Sequence, residues 1–348
     1  MVPSMQTDSS LVEMRRLIVG FSVTMAIAAV ADLRIADHLS DGPKSSSELA
    51  RLSGVDETFL RRVLRYLASE GVFAEQGEDV FALTARSQWL RSDVPGSVRS
   101  RAVFAGSDLN WKAWGSLLAS LKAGRPAVEV AFGQSLFDYV RSEPDAAVKF
   151  HTFMAEQTAA SVAAILNAYD FADMREVVDV GGGRGALVAG VLQAHTELSG
   201  ILFDLTEVVA TAGDLLNRAG VADRCKVVGG DFFTAVPAGA DLYVLKFILH
   251  DWPDADCIRI LKNCRQAMAT GGRVLIVEHL LPEESGPGTD FAKFMDLNML
   301  VLTSGGRERT RHEFIQLLAA AGLRLQAVVP TAIGLYALEC VELSSAIS

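Results

Sequence analysis

Apolar residues recur at helical spacing from residue 11 to about residue 165, and only then does a second pattern begin. Between Leu11 and His38, Val23, Ile27, Val30 and Ile35 mark a helical stripe, yet so many neighbours are apolar that no solvated face can be drawn. A helix apolar nearly all round is as a rule a buried one. Two settings would bury this segment: the interface of a homodimer, which we favour, or the centre of a monomer's core. Ser45 or Ser46 then starts a helix, with Glu48 placed as in a capping box. Asp56 to Ser69 carries the stripe Leu60, Val63, Leu64 and Leu67, and Gly71 ends it. Val72-Phe73 and Val80-Phe81 flank the polar turn Glu75 to Asp79. Helix, turn, helix and small hairpin make a winged-helix arrangement.

Residues 96–165 continue as helices interrupted at 123–126 and at Glu143-Pro144. Trp111/Trp114 and Phe150/Phe153/Met154 each lie about one helical turn apart. Such clusters either fill a core or form the wall of a cavity for a flat apolar ligand, with Met154 as adaptable filler. After Asp170 short apolar runs alternate with helical stretches. Strands are predicted at 176–180, 200–203, 225–229, 241–245 and 273–278, with helices at 206–219 and 254–269. That alternation is an α/β fold built on a parallel sheet covered on both faces. Phe314 to Ala321 adds a helix, and 323–329 with 335–341 an antiparallel hairpin at the sheet edge. The expected division is therefore 1–95, 96–165 and 166–348.

Composition narrows the function. With 348 residues the chain can bury a core of its own, and its four cysteines show no CxxC pair, so neither a structural zinc site nor any other metal is expected. A net charge of −10 opposes binding to nucleic acid. Across residues 41–90 six basic residues face eight acidic ones, a poor recognition surface for a winged helix, although Arg61, Arg62 and Arg65 leave a small patch open. We expect the winged helix to serve packing or dimerisation. MVPSMQTDSS carries no basic leader, and the apolar stretch 21–31 is too short for a bilayer, so a cytoplasmic protein without a membrane partner is expected.

The strand at 176–180 runs into Gly181-Gly182-Gly183-Arg184-Gly185 and then a helix. Glycines there permit a tight turn and close backbone approach to a nucleoside-containing ligand. Gly181, Gly183 and Ala186 satisfy a dinucleotide fingerprint, with Asp204 placed 21 residues after Gly183 as a ribose ligand. The acidic surroundings favour S-adenosylmethionine over NAD: a carboxylate at Asp179 suits a cationic donor and would repel a pyrophosphate. Asp231 could accept the adenine amino group with Phe232 against the ring, or merely cap a turn. His250, past the end of the fourth strand, stands where such sheets hold substrates and titrates in the right range for a general base. Glu278, at the end of the next strand, is a suitable carboxylate to orient it. A capped turn at His250-Asp251-Trp252 is the plainer alternative.

As an ordered set, Val178 to Gly185, Phe203-Asp204-Leu205, Gly230 to Phe233, Lys246 to Trp252 and Gly305 to Thr310 closely resemble the caffeic-acid/hydroxyindole type of S-adenosylmethionine-dependent O-methyltransferase, especially its bacterial members that decorate aromatic natural products. The resemblance implies a Rossmann-like methyltransferase domain behind an N-terminal helical, winged-helix dimerisation domain. It implies a homodimer, S-adenosyl-L-methionine as donor with S-adenosyl-L-homocysteine as product, and a small hydroxylated aromatic acceptor. On the matching positions, Gly181, Gly183, Asp204, Leu205, Asp231, Phe232 and Lys246 would bind the donor. His250 would be the base, flanked by Glu278 and Glu308. Trp111, Phe153, Met154, Asp251, Phe291, Met295, Asn298, Met299 and Leu302 would meet the acceptor. Thr206 stands where many members have proline at a helix start, a minor departure. A same-fold enzyme of non-methyl chemistry and a ligand-sensing winged-helix regulator are the competing readings.

Overall fold

The computed structural model describes residues 9–284 and 291–343, so the first eight residues used in the leader argument lie outside the described ones. The chain divides into two compact units, Met1–Trp111 with Glu143–Glu156, and Lys112–Ser142 with Gln157–Ser348. The stretch 96–165, expected as one segment, is shared between them.

In the first unit the apolar stretch 11–38 is not one helix but three: Ser9–Ile18, Gly20–Asp32 and Ile35–His38. The second break passes through Arg34, held in the left-handed region at φ 55°. Among the described residues nothing buries a side chain of Ser9–Ile18, whereas Ala28, Val30 and Ala31 of the second helix are buried. Ser45 caps Ser46–Ser53 by accepting the Glu48 N–H, and Asp56 caps Glu57–Ser69 by accepting the Phe59 N–H. Leu60, Leu64 and Leu67 pack with Leu49, Phe73 and Phe81 into one core. The wing is an antiparallel pair, Phe73–Glu75 with Val80–Leu83, extended by the two-residue strand Lys44–Ser45, which has no sequence signature. Two of the three arginines that could have faced a polyanion are already paired: Arg61 with Asp79, and Arg65 with Glu75 and Asp79.

The second unit is built on seven strands. β1 is Glu176–Val180, β2 Ser199–Asp204, β3 Cys225–Gly229, β4 Leu242–Lys246, β5 Arg273–Glu278, β6 Leu323–Pro330 and β7 Tyr336–Glu342. Their spatial order is β6-β7-β5-β4-β1-β2-β3. β1 to β5 are parallel, and β7 lies antiparallel between β5 and β6. Side chains alternate between faces: Val177, Val244 and Val277 enter one core, Val178, Leu245 and Ile276 the other. The order reverses between β1 and β4, so the carboxyl ends of these two strands flank the switch point at which such sheets bind ligands. Among the described residues no single helix is long and apolar enough to cross a membrane, although Ser9–Ile18 and Gly20–Asp32, bent by 42° at their break, reach that length together.

The second unit departs from the expected elements at three places. The helix expected at 206–219 is interrupted, forming Thr206–Val209 and Gly213–Arg218. Phe291–Leu302 is a helix, and Leu280–Leu281 pairs in parallel with Arg309–Thr310. That pair is short, but it draws residues 304–310 up to the end of β5.

Candidate active site

The glycine turn leaves β1 through Gly181 (φ 71°) and Gly183 (φ 58°), conformations in which any other side chain would be strained. Hydrogen bonds tie three strand ends together there. Gly181 N–H donates to the Phe203 carbonyl at 2.8 Å, Gly183 N–H to Asp204 Oδ2 at 2.8 Å, and Gly230 N–H to the Asp204 carbonyl at 2.9 Å. Asp204 Oδ1 also accepts from Leu205 N–H at 2.7 Å. Phe232 lies beside Gly181 and against Phe233, with ring centroids 4.8 Å apart. Asp231 caps its own turn, accepting from Phe233 N–H at 2.9 Å and from the Thr234 hydroxyl.

Beneath the turn Asp179 is buried and accepts Val188 N–H from the first turn of the following helix. Burial lifts its carboxyl to about 7, against the pull of that N–H and of Lys246. Lys246 is buried as well, donating to Thr158 Oγ1 at 3.1 Å, and burial brings its amine down to about 8. Open space faces Gly183, and the polar side chains against the turn are the carboxyls of Asp179 and Asp204, with Phe232, Ile248 and Leu202 packed beside them. That donor set suits a ribose and a positively charged group better than a pyrophosphate.

At the end of β4 the chain turns through Phe247, left-handed at φ 55°, into a short 3₁₀ turn, Leu249–Asp251. A non-glycine residue there stores about 1–3 kcal/mol that the surroundings must hold. His250 is buried, its ring stacked on Phe247 with centroids 5.2 Å apart. Its Nδ1 lies 2.9 Å from Glu308 Oε1. A carboxylate oxygen only accepts, so Nδ1 carries the hydrogen and the lone pair of the neutral ring sits on Nε2. Asp251 Oδ1 is 3.7 Å from that Nε2.

The carboxylate that meets the ring is thus Glu308, where Glu278 was expected. Glu278 instead receives the backbone N–H groups of Leu249 at 2.7 Å and His250 at 3.1 Å. Glu278 Oε2 and Glu308 Oε2 are buried without a hydrogen-bond partner among the described residues. Burial works to lower the His250 pKa, but Asp251, Glu308 and Glu278 outweigh it and raise it to about 9. Burial also raises Glu278 to about 7 and Asp251 to about 6, with the imidazolium opposing both shifts.

The residues expected at the acceptor are distributed over both units. Met295, Met299 and Leu302 are buried on helix Phe291–Leu302, Asn298 is half-buried, and Phe291 is exposed and edge-on to His279. Phe153, in the first unit, stacks on Phe104 with centroids 5.0 Å apart, and Trp111, also there, lies near Phe21. Met154 belongs to the same unit. Sequence reasoning missed Asp296, whose Oδ1 accepts the backbone N–H of Glu308 at 3.1 Å. It also gave no role to Arg309, although that residue stands inside the motif it singled out. Asp296 had no signal, because its helix was not foreseen.

An acid-oriented imidazole and a glycine turn ringed by carboxylates, set at neighbouring strand ends of this sheet order, define a nucleoside-dependent transferase. Residues 114–324 match the O-methyltransferase domain family and residues 15–93 the O-methyltransferase dimerisation domain. The chain is 44% identical to a phenazine O-methyltransferase of Lysobacter antibioticus over 93% of its own length and 94% of the relative's. It is 38% identical to a mitomycin biosynthesis 6-O-methyltransferase of Streptomyces lavendulae, over 89% and 88%. A solved O-methyltransferase from neocarzinostatin biosynthesis, in complex with S-adenosylmethionine and 2-hydroxy-5-methyl naphthoic acid, superposes with a TM-score of 0.79 at 34% identity, covering 92% of this chain and 96% of that one. The chain belongs to the O-methyltransferase family and is an S-adenosylmethionine-dependent O-methyltransferase.

Proposed function

We propose that the enzyme methylates a hydroxyl on a small aromatic acceptor of secondary metabolism, with His250 as general base. The observation that carries this is the 2.9 Å contact between His250 Nδ1 and Glu308, which presents Nε2 as the basic nitrogen at the carboxyl end of β4. Relatives named for phenazine, mitomycin and naphthoate methylation support the acceptor class. Gly181, Gly183, Asp204, Leu205, Asp231, Phe232 and Lys246 hold the donor, in keeping with the carboxylate-rich turn. S-adenosylmethionine supplies an electrophilic methyl group.

The protein's remaining task is to align the acceptor oxygen and remove its proton. A phenol of pKa about 10 is a poor nucleophile at neutral pH. Nε2 of His250 takes that proton, Glu308 holds the tautomer and steadies the imidazolium that forms, and Glu278 fixes the backbone that carries the ring. Within the second unit, acceptor contacts come from Asp251 and helix Phe291–Leu302. The N-terminal domain pairs two copies of the chain in the cytoplasm, a reading supported by its family and by the bare apolar face of Ser9–Ile18.

His250→Ala should bind S-adenosylhomocysteine in a calorimeter as the parent does, while turnover falls by about 10²–10⁴. Turnover is followed as methyl gain by mass spectrometry on a panel of hydroxyphenazines, hydroxynaphthoates, hydroxybenzoates and their amino counterparts. Full turnover by the variant would remove His250 from the mechanism.

A further inference from the structure

The structure assigns Arg309 as a positioning residue that holds the backbone of the His250 turn, an inference resting on the reading of His250 as base. Arg309 is completely buried, unusual for a side chain that is always charged. Its guanidinium donates to the Leu249 carbonyl at 2.9 Å and to the Trp252 carbonyl at 2.9 Å. These two carbonyls bracket His250 and Asp251. Nε at 3.0 Å and Nη2 at 2.8 Å both donate to Asp254 Oδ1, and these two bonds fix the plane of the fork.

The turn is therefore held from both sides of its peptide groups. Glu278 accepts its N–H groups while Arg309 donates to its carbonyls. Neighbouring residues in the extended stretch before Thr310 divide the work: Glu308 takes the imidazole, Arg309 the backbone beneath it. Pairing of Arg309–Thr310 with Leu280–Leu281 sets the register of both against Glu278, two residues upstream of that pair. At Gly306 a Cβ would collide with the His250 carbonyl oxygen, so this loop lies directly on the turn. A lysine cannot reproduce the fork. Loss of the guanidinium leaves the turn one residue's freedom to shift, and a misplacement of about 1 Å can cost on the order of a hundredfold in rate.

Three measurements on Arg309→Met and Arg309→Lys test this: S-adenosylhomocysteine affinity, turnover, and the NMR titration of the His250 imidazole, assigned by comparison with His250→Ala. For Arg309→Met we expect affinity within about threefold of the parent, turnover lower by about 10–100-fold, and a His250 titration shifted towards the ordinary histidine range as the Glu308 contact loosens. Arg309→Lys should recover part of both losses. An unmoved His250 titration in a folded variant overturns the assignment, whatever happens to turnover. If the titration shifts while turnover holds, Arg309 keeps its role and His250 loses its role as base. Should Arg309→Met not fold, Asp254→Asn decides: its half-exposed carboxylate accepts from both Nε and Nη2 of Arg309, so the substitution takes the counter-charge from the buried guanidinium and loosens the fork. A His250 titration unmoved in that variant overturns the assignment, and a shift in the same direction supports it.

Discussion

His250 must be neutral before it can accept a proton, and its neighbours resist that. Three carboxyl groups lift its pKa to about 9 despite burial, so most of the rings are protonated at pH 7 in the free protein. The rate of a base that must first deprotonate rises with pH. The acidic limb of kcat/KM should accordingly lie above the ordinary histidine value of about 6.5, climbing about tenfold per pH unit below the folded pKa. Glu308→Gln removes one of the charges that hold the imidazolium, so its limb should move to lower pH. The ratio of parent to variant rates should then be smallest near pH 6.5 and grow towards pH 9, because the variant's larger neutral fraction offsets lost orientation only on the acidic side. Initial rates across that range check it, and a ratio independent of pH would rule out Glu308 as the group that sets the titration. The histidine and both glutamates were legible because strand ends can be counted and motifs matched. Which glutamate meets the ring was not: Glu308 reaches it from an aperiodic stretch whose position depends on pairing with Leu280–Leu281.

At the level of elements, the glycine turn works only while its backbone stays close to the sheet. A Cβ at Gly182 would stand 2.6 Å from the Asp179 carboxyl and 2.6 Å from a Leu202 methyl, both buried and neither free to retreat. Gly182→Ala should therefore push the turn outward and weaken S-adenosylhomocysteine binding by about 1–3 kcal/mol, the range for overpacking, or roughly ten- to a hundredfold in Kd. Titration calorimetry measures it, with melting temperature recorded beside it. Affinity equal to the parent's would mean that the ligand does not rest on this turn. The strands around it were readable because β-branched runs such as Glu176–Val180 are buried on both faces and end at glycine or aspartate. Helix Phe291–Leu302 was not, since its apolar residues are both buried and exposed and give no single stripe. Nor could the break at Arg34 be foreseen, because arginine has no preference for the left-handed region it occupies.

For the whole molecule the open question in the sequence was what buries the first helix, and among the described residues of one chain nothing does. Leu17 is 74% exposed, Ile18 65% and Phe21 57%, with Leu11, Val12, Met14 and Val19 also bare. So many exposed apolar side chains within residues 11–21 of a chain carrying a net charge of −10 are a liability unless a partner covers them. The dimerisation family matched from residue 15 onward makes a second copy the natural cover. In a two-fold interface each substitution acts twice, so Leu17→Asp with Ile18→Asp alters four side chains. At about 1.5–3 kcal/mol for each buried aliphatic side chain, the association loses on the order of 6–12 kcal/mol before the cost of burying the new carboxylates is counted. That is enough to turn a nanomolar dimer into a monomer at micromolar protein, since about 1.4 kcal/mol is a tenfold change. Light scattering behind a sizing column should report one chain mass for the variant and two for the parent. Because neither residue is buried among the described residues of its own chain, the monomer should keep its fold and its S-adenosylhomocysteine affinity. A variant that still elutes as a dimer would place the interface on some other surface and leave this face unexplained.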